Sequence, residues 1–131
     1  MSKGYQRLLS FRVGSRLFGV DESKVATVAD WRQPTPLPHA PPAVIGIVSL
    51  QGRMLTVLDL RKLIGAVSTD NTPPQLVIAL RGDEQLALAV DTVEGSIESP
   101  GDTNGSPVEV LNVNELFPLA IQGRERRQRR F

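Results

Sequence analysis

The chain has 131 residues, 15 of them Lys or Arg and 14 Asp or Glu, with no cysteine and 5% aromatics. The missing cysteines exclude a disulfide scaffold, thiolate metal sites and a cysteine nucleophile. MSKGYQR has no apolar run behind its positive charge, and no stretch approaches the roughly 18 apolar residues that cross a bilayer, so one domain or two very small modules in the cytoplasm are expected.

Leu9, Phe11 and Val13 alternate with Ser10 and Arg12, and a Gly14-Ser15 turn leads into Leu17-Phe18-Gly19-Val20. This predicts a β-hairpin. Asp21 is placed to cap a short helix over 21–29, with Val25 and Val28 three apart on one face. Pro34, Pro36, Pro38, Pro41 and Pro42 follow within nine residues. Proline has no N–H for a ladder, so this stretch is an extended surface connection or a sheet edge. Val44 to Val48 reads as a strand buried on both faces, and Gln51-Gly52-Arg53 as a turn. Met54 to Leu58 is a strand ending in Asp59, and Leu60 to Ile64 is a turn of helix stopped by Gly65. Residues 66–74, AVSTDNTPP, form a polar linker.

After the linker the pattern starts again. Leu8-Leu9 and Gly14 recur 68 residues on as Leu76-Val77 and Gly82, and Phe18 to Asp21 recur 70 on as Leu88 to Asp91. Val57 to Ile64 recur 53 on as Val110 to Phe117. The falling offset means that the second copy lacks 17 residues, matching most of the 21–29 helix, the proline loop and the VIGIVSL strand. One unit runs over about 7–65, a trimmed one over about 75–117, and a basic tail over 118–131. Each unit is too short for a sandwich. The expected fold is all-β: two small SH3-like barrels of the five-stranded kind, the second trimmed, with short helical turns as decoration. A lost strand opens ladder edges to self-association unless something covers them, Leu119 to Ile121 being one candidate.

Four apolar strands end in an Asx: Val20-Asp21, Leu58-Asp59, Val90-Asp91 and Leu111-Asn112. A repeated position with a repeated local role reads as helix capping, with Glu94 and Glu115 as capping-box partners. His39 lies in the proline loop with no catalytic or metal-binding partner at a recognisable spacing. Trp31 reads as a lid over the first unit's core, and otherwise as an anchor for a partner. There is no phosphate-binding, zincin or nucleophile-elbow motif. The expectation is therefore no enzyme, no metal, no cofactor and no small-molecule substrate. The net charge of +1 hides an asymmetry. Arg124, Arg126, Arg127, Arg129 and Arg130 with Glu125 make a local +4, which leaves −3 on residues 1–123. Such a tail attracts nucleic acid or anionic lipid, or is simply solvated.

Leu8 to Phe11, Leu17-Phe18-Gly19-Val20-Asp21, Lys24-Val25, Pro38 and Pro41, Ile45-Gly46-Ile47-Val48, Leu50-Gln51-Gly52 and Val57-Leu58-Asp59-Leu60-Arg61 come in an order and spacing that resembles the CheW family of chemotaxis coupling proteins. Leu76-Val77-Ile78, Leu86 to Asp91, Val93 and Val110 to Asn112 look like the family's second half. The resemblance implies a non-catalytic adaptor, recruited to membrane-associated receptor arrays. It would bridge the regulatory domain of a CheA-type histidine kinase and the cytoplasmic hairpin tip of a methyl-accepting chemoreceptor. It also implies a partner-binding groove matching Val25, Thr27, Val28, Ile45, Gly46, Gln51 and Val57. Two positions depart from the family's pattern: Thr27 stands where an acidic residue is usual, and Gln51 where an arginine is. The alternatives are a variant that binds only one of the two partners, and a small nucleic-acid-binding barrel, which would need a basic face that the −3 body lacks. An enzyme would need two carboxylates, Asp59 and Asp91 for instance, converging in a pocket.

Overall fold

A computed structural model describes residues 6–63, 73–82, 85–99 and 108–120. Most of the linker and all the tail arginines lie outside these residues. β1 (Gln6–Val13) and β2 (Arg16–Asp21) form the expected hairpin, with Gly14 at φ +65 in its turn. Phe11 and Phe18 face each other in register and stack at a ring-centroid distance of 5.8 Å.

Residues 21–29 are not a helix. Asp21 accepts a hydrogen bond from the Ser23 N–H and caps only a 3-10 turn, Glu22–Lys24. β3 (Val25–Asp30) follows, pairing antiparallel with β6 (Leu76–Leu80) and bulged between Val25 and Thr27. Val25, Thr27 and Val28 are β-branched and favour a strand, and β6 supplies the backbone partners that an isolated helical turn would lack. β4 (Val44–Leu50) and β5 (Arg53–Asp59) flank a two-residue turn in which Gln51 and Gly52 both have positive φ, 51° and 79°. The helical turn α1 is Leu60–Leu63. The second unit provides β6 (Leu76–Leu80), β7 (Leu86–Val90), β8 (Thr92–Ser99) and β9 (Glu109–Leu111), followed by a helix α2 over residues 113–120. Leu119 therefore stands on a helix rather than in a gap-filling strand.

Among the described residues nine strands make two sheets, ordered β8-β1-β2-β9 and β3-β6-β7-β5-β4. Neither sheet follows the halves of the chain. The first hairpin lies between two strands of the second unit, and the second hairpin between two strands of the first. The repeat relates the two sheets: β8 pairs antiparallel with β1 as β3 does with β6, and β9 pairs parallel with β2 as β5 does with β7. Leu9 faces Val20 and Leu76 faces Val90, so these counterparts are 67 residues apart rather than the 68 read from sequence. β4 has no counterpart among the described residues, which is where the 17-residue shortfall falls.

Strand β7, Leu-Ala-Leu-Ala-Val, is buried along its whole length. Leu86, Leu88 and Val90 join a core that draws on both sheets, with Phe11, Phe18, Ile78 and Leu116. Ala87 and Ala89 face a second core with Val48, Leu55, Val57 and Val77. Ala79, Ala26 and Ala29 pack there too. Small side chains leave little volume to fill on that side of the five-stranded sheet.

The chain leaving β3 reaches the opposite edge of the sheet, at β4. Arg32 donates to the Ser49 carbonyl at 2.9 Å, and Thr35 forms an antiparallel bridge to Ile47, N–H to O at 2.8 and 2.9 Å. The proline loop thus covers the outer edge of β4, as a donor-poor segment can. Gly46 makes that approach possible, because a Cβ there would collide with the Thr35 backbone carbonyl. The atoms that a Cβ would meet first are backbone, which cannot swing aside as the end of a flexible side chain can. Gly46→Ala is expected to lower stability by about 1–3 kcal/mol, read as a fall in the urea midpoint at unchanged m-value. An unaltered midpoint would show that the loop does not bear on β4.

Candidate functional site

Asp91 is the single residue between β7 and β8, where the chain passes from one sheet to the other. Its Oδ2 accepts from the Gly14 backbone N–H at 2.7 Å and from Arg61 Nη2 at 3.3 Å, while its own N–H donates to the Arg12 carbonyl at 2.9 Å. Arg61 is placed by the end of β5, where Asp59 Oδ1 accepts the Arg61 N–H at 3.0 Å. One carboxylate therefore joins the turn of the first hairpin, the end of the second and the helical turn after β5. The Arg61 and Asp91 side chains are 22% and 18% exposed, against 40–60% for the other ion pairs among the described residues. Of these pairs it is the one most shielded from solvent, where salt screens least.

This corrects one expectation. Asp21, Asp59 and Asn112 do cap the turns that follow them, accepting from the backbone N–H of Ser23, Arg61 and Asn114 at 3.0 Å each. Asp91 caps nothing: a strand follows it, and Glu94 pairs with Arg12 at 3.0 Å instead.

Beside the junction lies a cavity of about 390 Å³, walled by Trp31, Pro42, Val44 and Ile45 and floored by Asp59, Arg61 and Asp91. Two carboxylates do converge here, as an enzyme would require. Both are engaged in holding backbone and Arg61, and an apolar wall over such a floor suits a partner's apolar side chain. Trp31 packs against the second core and donates its backbone N–H to the Gln75 carbonyl at 3.0 Å. It is a lid over that core as well as a wall of the cavity.

The seven groove positions fall into three settings. Thr27 and Val28 lie on edge strand β3, Val28 being 38% exposed, and Gln51 is exposed at the β4–β5 turn. Val25 and Ile45 are half-buried, packed against the two cores, and Ile45 shares the cavity with Trp31. Gly46 is buried against Thr35, and Val57 is fully buried in the second core. His39 sits exposed in the proline loop with φ +62. Among the described residues no group of three His, Cys, Asp or Glu could hold a metal ion, and no helix there is long and apolar enough to cross a membrane.

β9 is held by charge as well as by its ladder. Arg16 makes a bidentate contact with Glu109, Nε to Oε2 at 2.9 Å and Nη2 to Oε1 at 2.6 Å. That hydrogen bond holds the Glu109 carboxyl below the usual carboxylate range and raises Arg16 further. Sequence reasoning found the Asx positions but not the Arg61–Asp91 pair, since residues 30 apart in sequence carry no local signal of contact. Asp91→Asn keeps the shape and removes the charge; it is expected to cost about 2 kcal/mol, measured by chemical denaturation. A loss no larger than that of an exposed pair would mean that the junction is held by packing alone.

Comparison with known proteins identifies the family. A model of the CheW-like domain matches residues 7–115. The chain is similar to the chemotaxis protein CheW of Rhizobium meliloti (strain 1021), 30% identical over 129 residues, covering 95% of this chain and 83% of that one. It is also similar to the chemotaxis protein CheW of Thermotoga maritima, 24% identical over 116 residues, covering 88% and 74%. Among solved structures, the scaffolding protein TtCheW from Thermoanaerobacter tengcongensis superposes with a TM-score of 0.63 at 24% identity, over 79% of this chain and 66% of that one. At that identity the likeness speaks for the fold.

Proposed function

The chain belongs to the CheW-like family, and we propose from this that it is a non-catalytic adaptor of a chemosensory complex, coupling a CheA-type histidine kinase to chemoreceptors. The observation that carries the reading is the match over residues 7–115, which takes in every described strand but the first residue of β1. The local chemistry agrees with it. The strand-end carboxylates are engaged in caps and in the Arg61 pair, and the accessible features are an apolar-walled cavity and the edge strand carrying Thr27 and Val28. An adaptor works through contact, and a rigid two-sheet body holds such surfaces in fixed relation.

Gln51 bears on how many partners are kept. It is exposed at a hairpin tip, in the position where the family resemblance places an arginine. A guanidinium there would reach an acidic partner surface, while an uncharged amide offers only neutral hydrogen bonds. The coupling to the receptor is therefore weaker in this chain than its coupling to the kinase. The outer edge of β9, beside the place where the second unit lacks a strand, is where self-association would occur.

Isothermal calorimetry of the chain against the regulatory domain of its cognate kinase and against a receptor hairpin tests this. Binding to the kinase domain is expected with Kd on the order of micromolar, and Gln51→Arg is expected to strengthen receptor binding several-fold while leaving kinase binding alone. No heat with either partner would rule out the adaptor reading, and an unchanged receptor affinity in the variant would rule out the role given to position 51.

A further inference from the structure

Between Asp30 and Asp59 the chain has no Asp or Glu, while Arg32, His39 and Arg53 stand in that stretch. Residues 31–58 are the proline loop, β4 and nearly all of β5. The loop-covered edge of the five-stranded sheet therefore carries no carboxylate of its own. Arg7, Arg12, Arg16 and Arg61 each face a carboxylate, whereas Arg32 and Arg53 face none among the described residues. Both cations are held at the same end of the edge. Arg32 Nη1 donates to the Ser49 carbonyl at 2.9 Å, and Arg53 pairs with Leu50 on the next rung of the β4–β5 ladder. Arg32, Gln51 and Arg53 are all exposed there. The turn between them has positive φ at both Gln51 and Gly52, the tight hairpin connection that matches the twist of its strands. Little ordering is left for the tip to lose on binding. Met54, 59% exposed, lies on the opposite face of β5 from Arg53 and takes no part.

From these free cations on a carboxylate-free edge we propose that Arg32 and Arg53 dock an acidic helix face, which under the adaptor reading, on which this inference rests, belongs to the receptor hairpin. Carboxylates one turn apart on a helix stand about 5–6 Å from one another, a spacing that guanidiniums held at neighbouring rungs can meet. Each guanidinium can take a carboxylate through two parallel hydrogen bonds. Arg32 uses one N–H on Ser49 and keeps the others for a partner. Gln51 leaves the tip with two cations rather than three, so receptor affinity is lowered and not lost. A nucleic acid is a poorer fit, because its affinity grows with the number of phosphates neutralised and two arginines neutralise few.

The test is fluorescence anisotropy of a labelled receptor hairpin titrated with the full chain at low and high salt. Calorimetry against the kinase regulatory domain and a gel shift with duplex DNA run beside it. Hairpin binding is expected to weaken as salt rises. Arg53→Gln should weaken it several-fold and Arg53→Glu about tenfold, with kinase binding and the thermal melt unchanged. Arg7→Gln alters the net charge equally on the other sheet and should leave hairpin binding as it was. No binding of the unaltered chain to either protein would remove the adaptor reading and this inference with it. Kinase binding without hairpin binding would overturn the inference alone, as would an unchanged hairpin affinity in Arg53→Glu. An equal loss in Arg7→Gln, or a DNA shift abolished by Arg53→Glu, would overturn it as well.

Discussion

Neither hairpin of this chain is flanked by its own half. β1 and β2 have β8 and β9 at their sides, and β6 and β7 have β3 and β5. A hairpin alone leaves two rows of backbone donors and acceptors open and is marginal in water. Each half of the chain therefore has its central hairpin completed by the other, and the core containing Phe11, Phe18, Leu88 and Leu116 exists only when both are present. Asp91 stands where the chain crosses between the sheets, and its bonds to Gly14 and Arg61 hold that crossing closed.

This exchange gives the candidate site its setting. The cavity beside Asp91 takes its walls from Trp31 and the β4 residues of the first half and its floor partly from the second. Positions that the resemblance names as contact residues act in different ways. Thr27, Val28 and Gln51 are available to a partner, whereas Gly46 and Val57 act through packing, one by letting the proline loop lie on β4 and the other by filling the second core. A substitution at either buried position would act by deforming the sheet rather than by altering an exposed surface.

Much of this was legible in the sequence, because alternation of apolar residues reports which faces are buried. Both hairpins, the Gln51-Gly52 turn, the α1 turn and the extended character of the proline loop follow from local rules; that the loop covers β4 does not. The repeat was legible too, within one residue of register. The strand β3 was not: valines three apart fit a helical face and a bulged strand equally, and only the ladder to β6 decides between them. Alternation names faces but never neighbours, so neither the exchange of strands nor the Arg61–Asp91 pair could be read from it. The family resemblance, carried by ordered motifs, agreed with periodicity on two barrels, and neither assigned strands of one half to the sheet of the other.

The most direct test is to divide the chain within residues 66–72 and follow folding of the two fragments, alone and mixed, by circular dichroism and amide dispersion in NMR. Strand exchange predicts that neither fragment melts cooperatively alone, and that an equimolar mixture recovers a single cooperative transition and dispersed spectrum. A fragment that folds alone with its own sharp transition would contradict the account, because its hairpin would then have no need of the other half.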